Sequence, residues 1–395
     1  MTTRRLVAAA AAAAALSLAL AACSSGDAAE PGTAQPAASG TSPAPAGSVD
    51  LADVCPATVV VQTDWNPQSE QGGLFELLGP DAKIDAQQKT ISGSLYSKGR
   101  PTGVNVEIRA GGPAIGYTAV PAQMYTDKDI LLGWVNTDEA IQNSQAMPTT
   151  AVFATFEKAP WMVMWDPATY PDVKTIADLG KTDAVVRYFN GATWMDYLVG
   201  SGQLRKDHTD GGYDGTPANF VAAKGKDGQQ GFATVEPYVY QNEIKEWGKP
   251  VDYQLIADTG YPLYAVALSV RSDDVSKQSA CLKKLVPVVQ QSTADFFADP
   301  TAANALIVKA VEEYNTGWVY PAGEAASSAK EQVSLGLVSN GTNDELGDFD
   351  EARVQKILDL TTPILTKNGT APRPGLKATD LFTNDFLDPS IGLGS

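Results

Sequence analysis

The side chains with chemistry to offer are carboxylates and aromatic rings standing where apolar, β-branched runs end. Asp64 and Trp65 follow Thr58-Val-Val-Val-Gln-Thr63, Gly111 and Gly112 follow Val104-Asn-Val-Glu-Ile-Arg109, Asn136 follows Ile130-Leu-Leu-Gly-Trp-Val135, and Phe156 closes Thr150-Ala-Val-Phe-Ala-Thr-Phe156. Farther on, Tyr188, Asn190 and Thr193 surround the turn Asn190-Gly-Ala-Thr193, Tyr213 precedes Asp214, and Glu236 and Tyr238 follow Gly231-Phe-Ala-Thr-Val235. Trp65, Tyr188, Tyr213 and Tyr238 can stack on a flat ring. Asp64 and Glu236 accept hydrogen bonds from ring N–H or amino groups, and ionised acceptors make the stronger bonds. Aromatic faces and carboxylates with few cations suit a neutral or cationic nitrogen heterocycle better than an oxyanion.

Each residue also has a plainer use. An aromatic beside a strand end fits lobe core equally well. Asp64 fits a helix cap except that it stands about five residues early, Glu236 before Pro237 suits a helix N-terminus, and a short Gly pair is first of all a tight turn. Asp64 and Glu236 facing each other across a cleft are also the residue types of a glycosidase pair. A secreted, carboxylate-dependent hydrolase is therefore the enzyme alternative, beside an adhesion or sensor protein with no transported ligand.

Other chemistries fail on the sequence. A single histidine, His208, excludes every mechanism that needs two imidazoles. No GxSxG elbow occurs, and Thr175-Ile-Ala-Asp-Leu-Gly-Lys-Thr182 ends like a phosphate loop but begins with Thr in place of Gly. Cysteines at positions 23, 55 and 281 have no CxxC spacing. No enzyme activity, cofactor or metal is expected. Twenty-nine Lys and Arg stand against 46 Asp and Glu, a net charge of −17, and no basic run exceeds Arg4-Arg5, so nucleic acid is not a partner.

The candidates must be positioned by alternating strands and helices. Strands are expected at the runs above and at Trp161–Trp165, Ala184–Phe189, Gly231–Val235, Tyr253–Ala257 and Leu263–Val270. Helices are expected after most of them, at Ser69–Leu78, from Pro113 to about Tyr125, near Val173–Leu179, at Thr193–Val199 and Pro217–Ala223, and from Glu236. This alternation implies an α/β layer fold with largely parallel sheet, whose ligands settle at the carboxyl ends of strands. The stretch from Pro121 to Asp138 echoes Pro217 to Glu236: helix, charged turn, buried strand, then a polar or acidic residue. From Ser276 onward only helices are expected, at about Ser276–Phe297, Thr301–Tyr314, Gly323–Leu337 and Phe349–Thr366. The chain then crosses between two lobes near Phe156–Met162 and Ile256–Leu263, which makes a hinged cleft.

Met1 to Ala22 has a basic start, an apolar Ala/Leu centre of about 17 residues, short for a span, and small residues at its end, the pattern of a secretory signal. Leu20-Ala-Ala-Cys23 resembles the bacterial lipobox, which implies a lipidated Cys23 as the mature N-terminus. Residues 23–54 are rich in Ala, Gly, Ser, Pro and Thr and are expected to form a disordered tether. The body of roughly 340 residues is long enough for two lobes, here 55–157 plus 262–395 as lobe I and 158–261 as lobe II. Outside the cytoplasm a disulfide persists, and with Cys23 lipidated, Cys55 and Cys281 are expected to pair.

Asp64-Trp65-Asn66-Pro67…Gly72-Gly73-Leu74-Phe75 is similar to the opening D-W-x-P…G-L-[YF] of the NMT1/THI5-like group of ABC-importer substrate-binding proteins. Val106-Glu-Ile-Arg-Ala-Gly-Gly-Pro113, Phe153-Ala-Thr-Phe-Glu-Lys-Ala-Pro160 and Phe382-Thr-Asn-Asp-Phe-Leu-Asp388 extend the resemblance over most of residues 57–388. It departs from the group in the longer link Gly79–Gly103 and in Glu70-Gln71, where pyrimidine binders often carry a histidine. The resemblance implies a two-lobed periplasmic-binding-protein type II fold with a hinged cleft and a helical C-terminal segment. It also implies an extracytoplasmic, lipid-anchored monomer that captures a small molecule, such as a thiamine-pyrimidine precursor or, alternatively, a nitrate- or sulfonate-type anion, and delivers it to an ABC permease in the membrane.

Overall fold

The computed structural model describes residues 49–394. The signal peptide expected over 1–22, Cys23 and most of the expected tether lie outside the described residues. The tether expected to reach residue 54 already packs at its end: Leu51 is fully buried, and its N–H donates to the Thr102 carbonyl at 2.9 Å.

Two mixed sheets organise the described chain. The first runs β2-β3-β4-β1-β5-β12-β6, with β1 Thr58–Gln62, β2 Lys83–Asp85, β3 Thr90–Ser97, β4 Arg100–Arg109, β5 Ile130–Val135, β6 Thr149–Phe153 and β12 Ala267–Arg271. The second runs β11-β7-β10-β8-β9, with β7 Trp161–Trp165, β8 Val186–Arg187, β9 Thr209–Asp210, β10 Gly228–Phe232 and β11 Asp252–Leu255. Sheets of mostly parallel strands were expected, and the pairing corrects this. β1 lies parallel to β4 and β5, and β8 parallel to β9 and β10, but β12 runs antiparallel between β5 and β6, and β7 antiparallel between β10 and β11. Strands entered directly from a lobe crossing, without an intervening helix, need not be parallel. The long link Gly79–Gly103 supplies the other antiparallel pairs, as β2, β3 and the start of β4.

Local sequence explains the elements that matter for the cleft. β5 is buried along its whole length because α2 (Val120–Thr126) packs on one face, and a strand covered on both sides reads as an unbroken apolar run. β4 alternates, with Val104, Val106 and Ile108 turned inward, the two-residue period of a half-covered strand. The helix expected from Pro113 to Tyr125 is broken into a 3-10 turn at Gly112–Ile115 and α2, with Gly116 left-handed between them. After β1 a 3-10 turn (Ser69–Gln71) leads into the short α1 (Gly72–Phe75), and α3 (Thr137–Asn143) follows β5. The second sheet carries α4 (Ile176–Leu179), α5 (Thr193–Gly200), α6 (Ala218–Ala222) and α7 (Glu236–Asn242).

After β12 only helices follow: α8 (Asp274–Lys277), α9 (Ser279–Ala298), α10 (Thr301–Tyr314), α11 (Ala322–Ser334) and α12 (Glu351–Lys367), apart from a closing 3-10 turn. They serve both sheets. α1 packs on α9 and α10, α11 touches α7, and α12 lies against both α3 and α5. Cys55, just before β1, is disulfide-bonded to Cys281 on α9, with Cα atoms 4.7 Å apart.

The chain leaves the first sheet between β6 and β7 and returns between β11 and β12. Arg353 on α12 grips both crossings, donating to the Glu157, Pro262 and Leu263 carbonyls at 2.5, 2.9 and 2.8 Å with its guanidinium 3.6 Å from the Tyr264 ring centre. In the second crossing Val266 takes a left-handed φ of 43°. A β-branched residue rarely adopts it, and here its N–H is held by Asn136 Oδ1 and its carbonyl by the Thr155 hydroxyl, both at 2.8 Å.

Candidate functional site

Between the sheets lies a cavity of about 410 Å³. Its first wall is made where β1 ends. Asp64 and Trp65 turn back on the loop after β4, with the Gly112 N–H donating to the Asp64 carbonyl at 2.8 Å and the Gly111 N–H to the Trp65 carbonyl at 2.9 Å. This approach requires glycine. A Cβ on Gly111 would stand 2.3 Å from Asp64 backbone carbon, and one on Gly112, at φ +55°, 2.8 Å from the Trp65 ring. The glycine pair is therefore a close-packing turn that seats Trp65.

Rings from several elements gather around Trp65. Tyr117, Phe189 and Trp318 have ring centres 6.0, 5.9 and 5.9 Å from it, and Phe189 in turn meets Tyr213 at 4.9 Å. Phe189 and Tyr213 belong to the second sheet's side and Trp318 to the link between α10 and α11, so both halves of the chain supply aromatic surface. Tilted and edge-on pairs of this kind leave flat faces available for stacking.

Four carboxylates line the same cavity, Asp64, Glu70, Glu139 and Glu236, and among the described residues no Lys, Arg or His does. Burial is the first cause of the upward shift of each carboxyl. Asp64 is pushed from 3.8 to about 7, with Glu70 adding repulsion. Glu139, on the first turn of α3, is pushed from 4.5 to about 8, with Asp138 and Asp64 contributing after burial. Glu236, the first residue of α7, rises to about 7 although its Oε2 accepts from the Phe232 N–H at 2.6 Å. Glu70 is likewise raised by burial, against hydrogen bonds from Thr234 and Ser328. Its Oε2 and the indole N–H groups of Trp134 and Trp318 are buried without a hydrogen-bond partner among the described residues. The carboxyl groups of the wall are thus held in surroundings that disfavour their charge.

Eight of the eleven residues expected to meet a ligand line the cavity: Asp64, Trp65, Gly112, Asn136, Phe156, Asn190, Tyr213 and Glu236. Asn136 is partly spent, because its Oδ1 holds the Val266 N–H. Tyr188, Thr193 and Tyr238 do not line it. Successive residues at a strand end point to opposite faces, so Tyr188 turns into the core against Trp194, ring centres 6.0 Å apart, and its neighbour Phe189 takes the cavity face. Thr193 is buried at the start of α5. Tyr238 reaches across to α11, where its hydroxyl would lie 2.3 Å from a Cβ on Gly323.

Residues that sequence reasoning passed over are as telling. The sequence marks Glu70 only as a departure where pyrimidine binders often carry a histidine, and Glu139 stands three residues after Asn136; neither is among the ligand-binding candidates. Trp318 had no signal at all, being supplied by the distant C-terminal segment. His208 lies away from the cavity beside Arg205, 2.6 Å from a guanidinium nitrogen. Among the described residues no group of three His, Cys, Asp or Glu is placed to hold a metal ion, and no helix is long and apolar enough to cross a membrane.

No protein-family model matches the chain, and no curated protein matches its sequence. Solved structures do match in fold. The periplasmic aliphatic sulphonate binding protein SsuA from Escherichia coli is 14% identical, with a TM-score of 0.50 over 81% of this chain and 90% of its own. The periplasmic sulfonate-binding protein SsuA of a sulfonate ABC transporter from Methylobacillus flagellatus KT is 14% identical, with a TM-score of 0.51 over 83% and 92%. The periplasmic nitrate-binding protein NrtA from Synechocystis PCC 6803 is 14% identical, with a TM-score of 0.47 over 84% and 87%. The chain has the two-lobed α/β fold of periplasmic binding proteins, with a helical C-terminal segment.

Proposed function

We propose that this protein captures a small, flat nitrogen heterocycle, neutral or cationic and of the thiamine-pyrimidine-precursor kind, and delivers it to the permease of an ABC importer. Residues 55–157 with 262–395 form one lobe and 158–261 the other, closing as a hinge on the ligand. The protein acts as a monomer outside the cytoplasm, held to the membrane by lipid on Cys23, and catalyses no reaction. The motifs from Asp64 to Phe75 and onward support membership of the NMT1/THI5-like group.

One observation carries this reading: a cavity between two sheets, walled by rings from both, that holds four carboxylates and no cationic side chain among the described residues. Closure on a ligand requires contacts that exist only in the closed state, and rings supplied from both sheets provide them. The aromatic faces suit a planar ligand, and the carboxylates suit one rich in N–H donors. A nitrate- or sulfonate-type anion is the second reading. The sulfonate-binding proteins among the fold neighbours favour it, and the four acidic side chains oppose it.

The test is a thermal-shift series on the purified protein with 4-amino-5-hydroxymethyl-2-methylpyrimidine, riboflavin, nitrate, and an alkanesulfonate. A ligand that binds only the folded state raises its melting temperature. A rise with the nitrogen heterocycles, reduced in Asp64→Ala and Glu236→Ala, supports the reading. A rise confined to nitrate and the sulfonate overturns the heterocycle.

A further inference from the structure

Glu70 stands where three parts of the chain meet. It lies in the turn between β1 and α1, and its Oε1 accepts hydrogen bonds from the Thr234 hydroxyl, just beyond β10 in the other sheet, and from the Ser328 hydroxyl on α11 at 2.9 Å. The residue is 4% exposed and lines the cavity, and its Oε2, itself shielded from solvent, has no partner among the described residues.

A buried carboxylate with one oxygen unmet is costly unless a positive charge or a proton reaches it. Among the described residues no Lys, Arg or His lines the cavity, and the titratable groups coupled to Glu70 are Asp64, Glu236, Tyr320 and Glu324, all of them acids. A proton would neutralise the charge but leave the ring-walled space beside it without an occupant. A flat organic cation does both.

We propose that Glu70 reads the charge of the ligand: the site takes a flat organic cation that neutralises the Glu70 carboxylate at the cavity wall, while Thr234 ties the same carboxylate to the second lobe. This rests on the cleft being a ligand-capture site. Binding of the cation and closure of the lobes then favour each other, because the cation relieves the charge that closure buries. Glu70 is thus both the charge-selecting residue and a tie across the cleft.

The probes are benzamidine, a planar cation, benzamide, its neutral near-isostere, and benzenesulfonate, measured by isothermal titration calorimetry on the purified protein, Glu70→Gln and Thr234→Val. Neutralising a buried carboxylate should make benzamidine bind the unaltered protein at least ~10-fold tighter than benzamide. In Glu70→Gln that ratio should fall to about 1 with benzamide affinity kept, because the hydrogen-bonding shape survives and the charge does not. Thr234→Val should weaken both cation and amide by a similar factor and leave the ratio intact. A merely structural role for Glu70 would weaken both probes together in Glu70→Gln, and that result overturns the proposal. So does equal binding of benzamidine and benzamide to the unaltered protein, or no binding of benzamidine, a comparison that needs no variant to fold. Equal binding would leave the capture of flat ligands standing, whereas binding of benzenesulfonate alone overturns that reading as well.

Discussion

Glu324→Gln is the most direct test of the acidic cluster behind the cavity. Glu324 is the third residue of α11, 2% exposed, and its carboxyl is pushed from 4.5 to about 9, first by burial and then by Glu70, Glu236 and Glu243. A shift of that size corresponds to ~6 kcal/mol for holding the charged form in the folded state. Its position near the start of α11 favours a negative charge, but a helix N-terminus contributes only ~1 kcal/mol. Burial wins, and Glu324 stays protonated in the folded protein at neutral pH.

The sign follows from the two pKa values. A carboxyl whose folded value is raised gives stability that is complete below its unfolded value, near 4.5, and is lost as pH climbs to about 9. Within that window one such group removes ~1.4 kcal/mol per pH unit. Between pH 5 and pH 7 the loss from Glu324 is therefore ~2–3 kcal/mol. Glutamine does not titrate, and since Glu324 is neutral in the folded state at both pH values, its replacement leaves the field on Glu70, Glu236 and Glu243 nearly unchanged. The effect then appears as a difference between two proteins. Urea unfolding followed by tryptophan fluorescence at pH 5, 6 and 7 should show Glu324→Gln gaining ~2–3 kcal/mol on the unaltered protein from the lowest pH to the highest. Parallel stability curves would refute the argument, because they would mean that Glu324 titrates alike in both states.

Three further outcomes follow from other parts of the structure. Gly111→Ala sets a Cβ against backbone atoms of Thr63 and Asp64 that have little room to retreat, so urea unfolding should show a loss of about 1–3 kcal/mol. Replacing Cys55 and Cys281 together by Ser releases a closure spanning 226 residues and should cost ~2–5 kcal/mol by the same measurement. Phe189→Ala should weaken a bound aromatic probe with little change in melting temperature, and Tyr188→Ala should do the reverse; thermal shift with and without benzamidine separates the two.

Much of the fold was legible because its signals are local. The buried runs of β1, β5 and β7 and the long helices α9, α10 and α12 all announce themselves through apolar periodicity. β10 shows where that signal fails. Its expected position, Gly231–Val235, is displaced from the observed Gly228–Phe232 because Gln229 and Gln230 are buried at 0% and 8% exposure. They are tolerated there by bonds that only the folded chain supplies: Gln229 donates to the Tyr240 hydroxyl at 2.7 Å and Gln230 accepts from the Phe189 N–H at 3.0 Å. The direction of β7 and β12 was hidden for a related reason. Periodicity marks a strand but carries no information about its partner, and both strands follow crossings whose path is set by distant contacts such as those of Arg353.

The cavity was legible where strand ends decide and obscure where tertiary packing decides. A rule that looks to the carboxyl ends of strands finds Asp64, Trp65 and Asn136, but it cannot choose between Tyr188 and Phe189, whose faces differ by one step of the pleat. Glu70 presents a deeper case. In the sequence Ser69-Glu-Gln71 is a polar triplet that belongs on a surface, and its Glu70 is held in the interior by Thr234 and Ser328, both more than 150 residues away. The same burial that conceals Glu70 from a sequence reading raises its carboxyl and leaves one oxygen unmet. The setting of Glu70 is assembled from three distant parts of the chain, and no local pattern of residues encodes it.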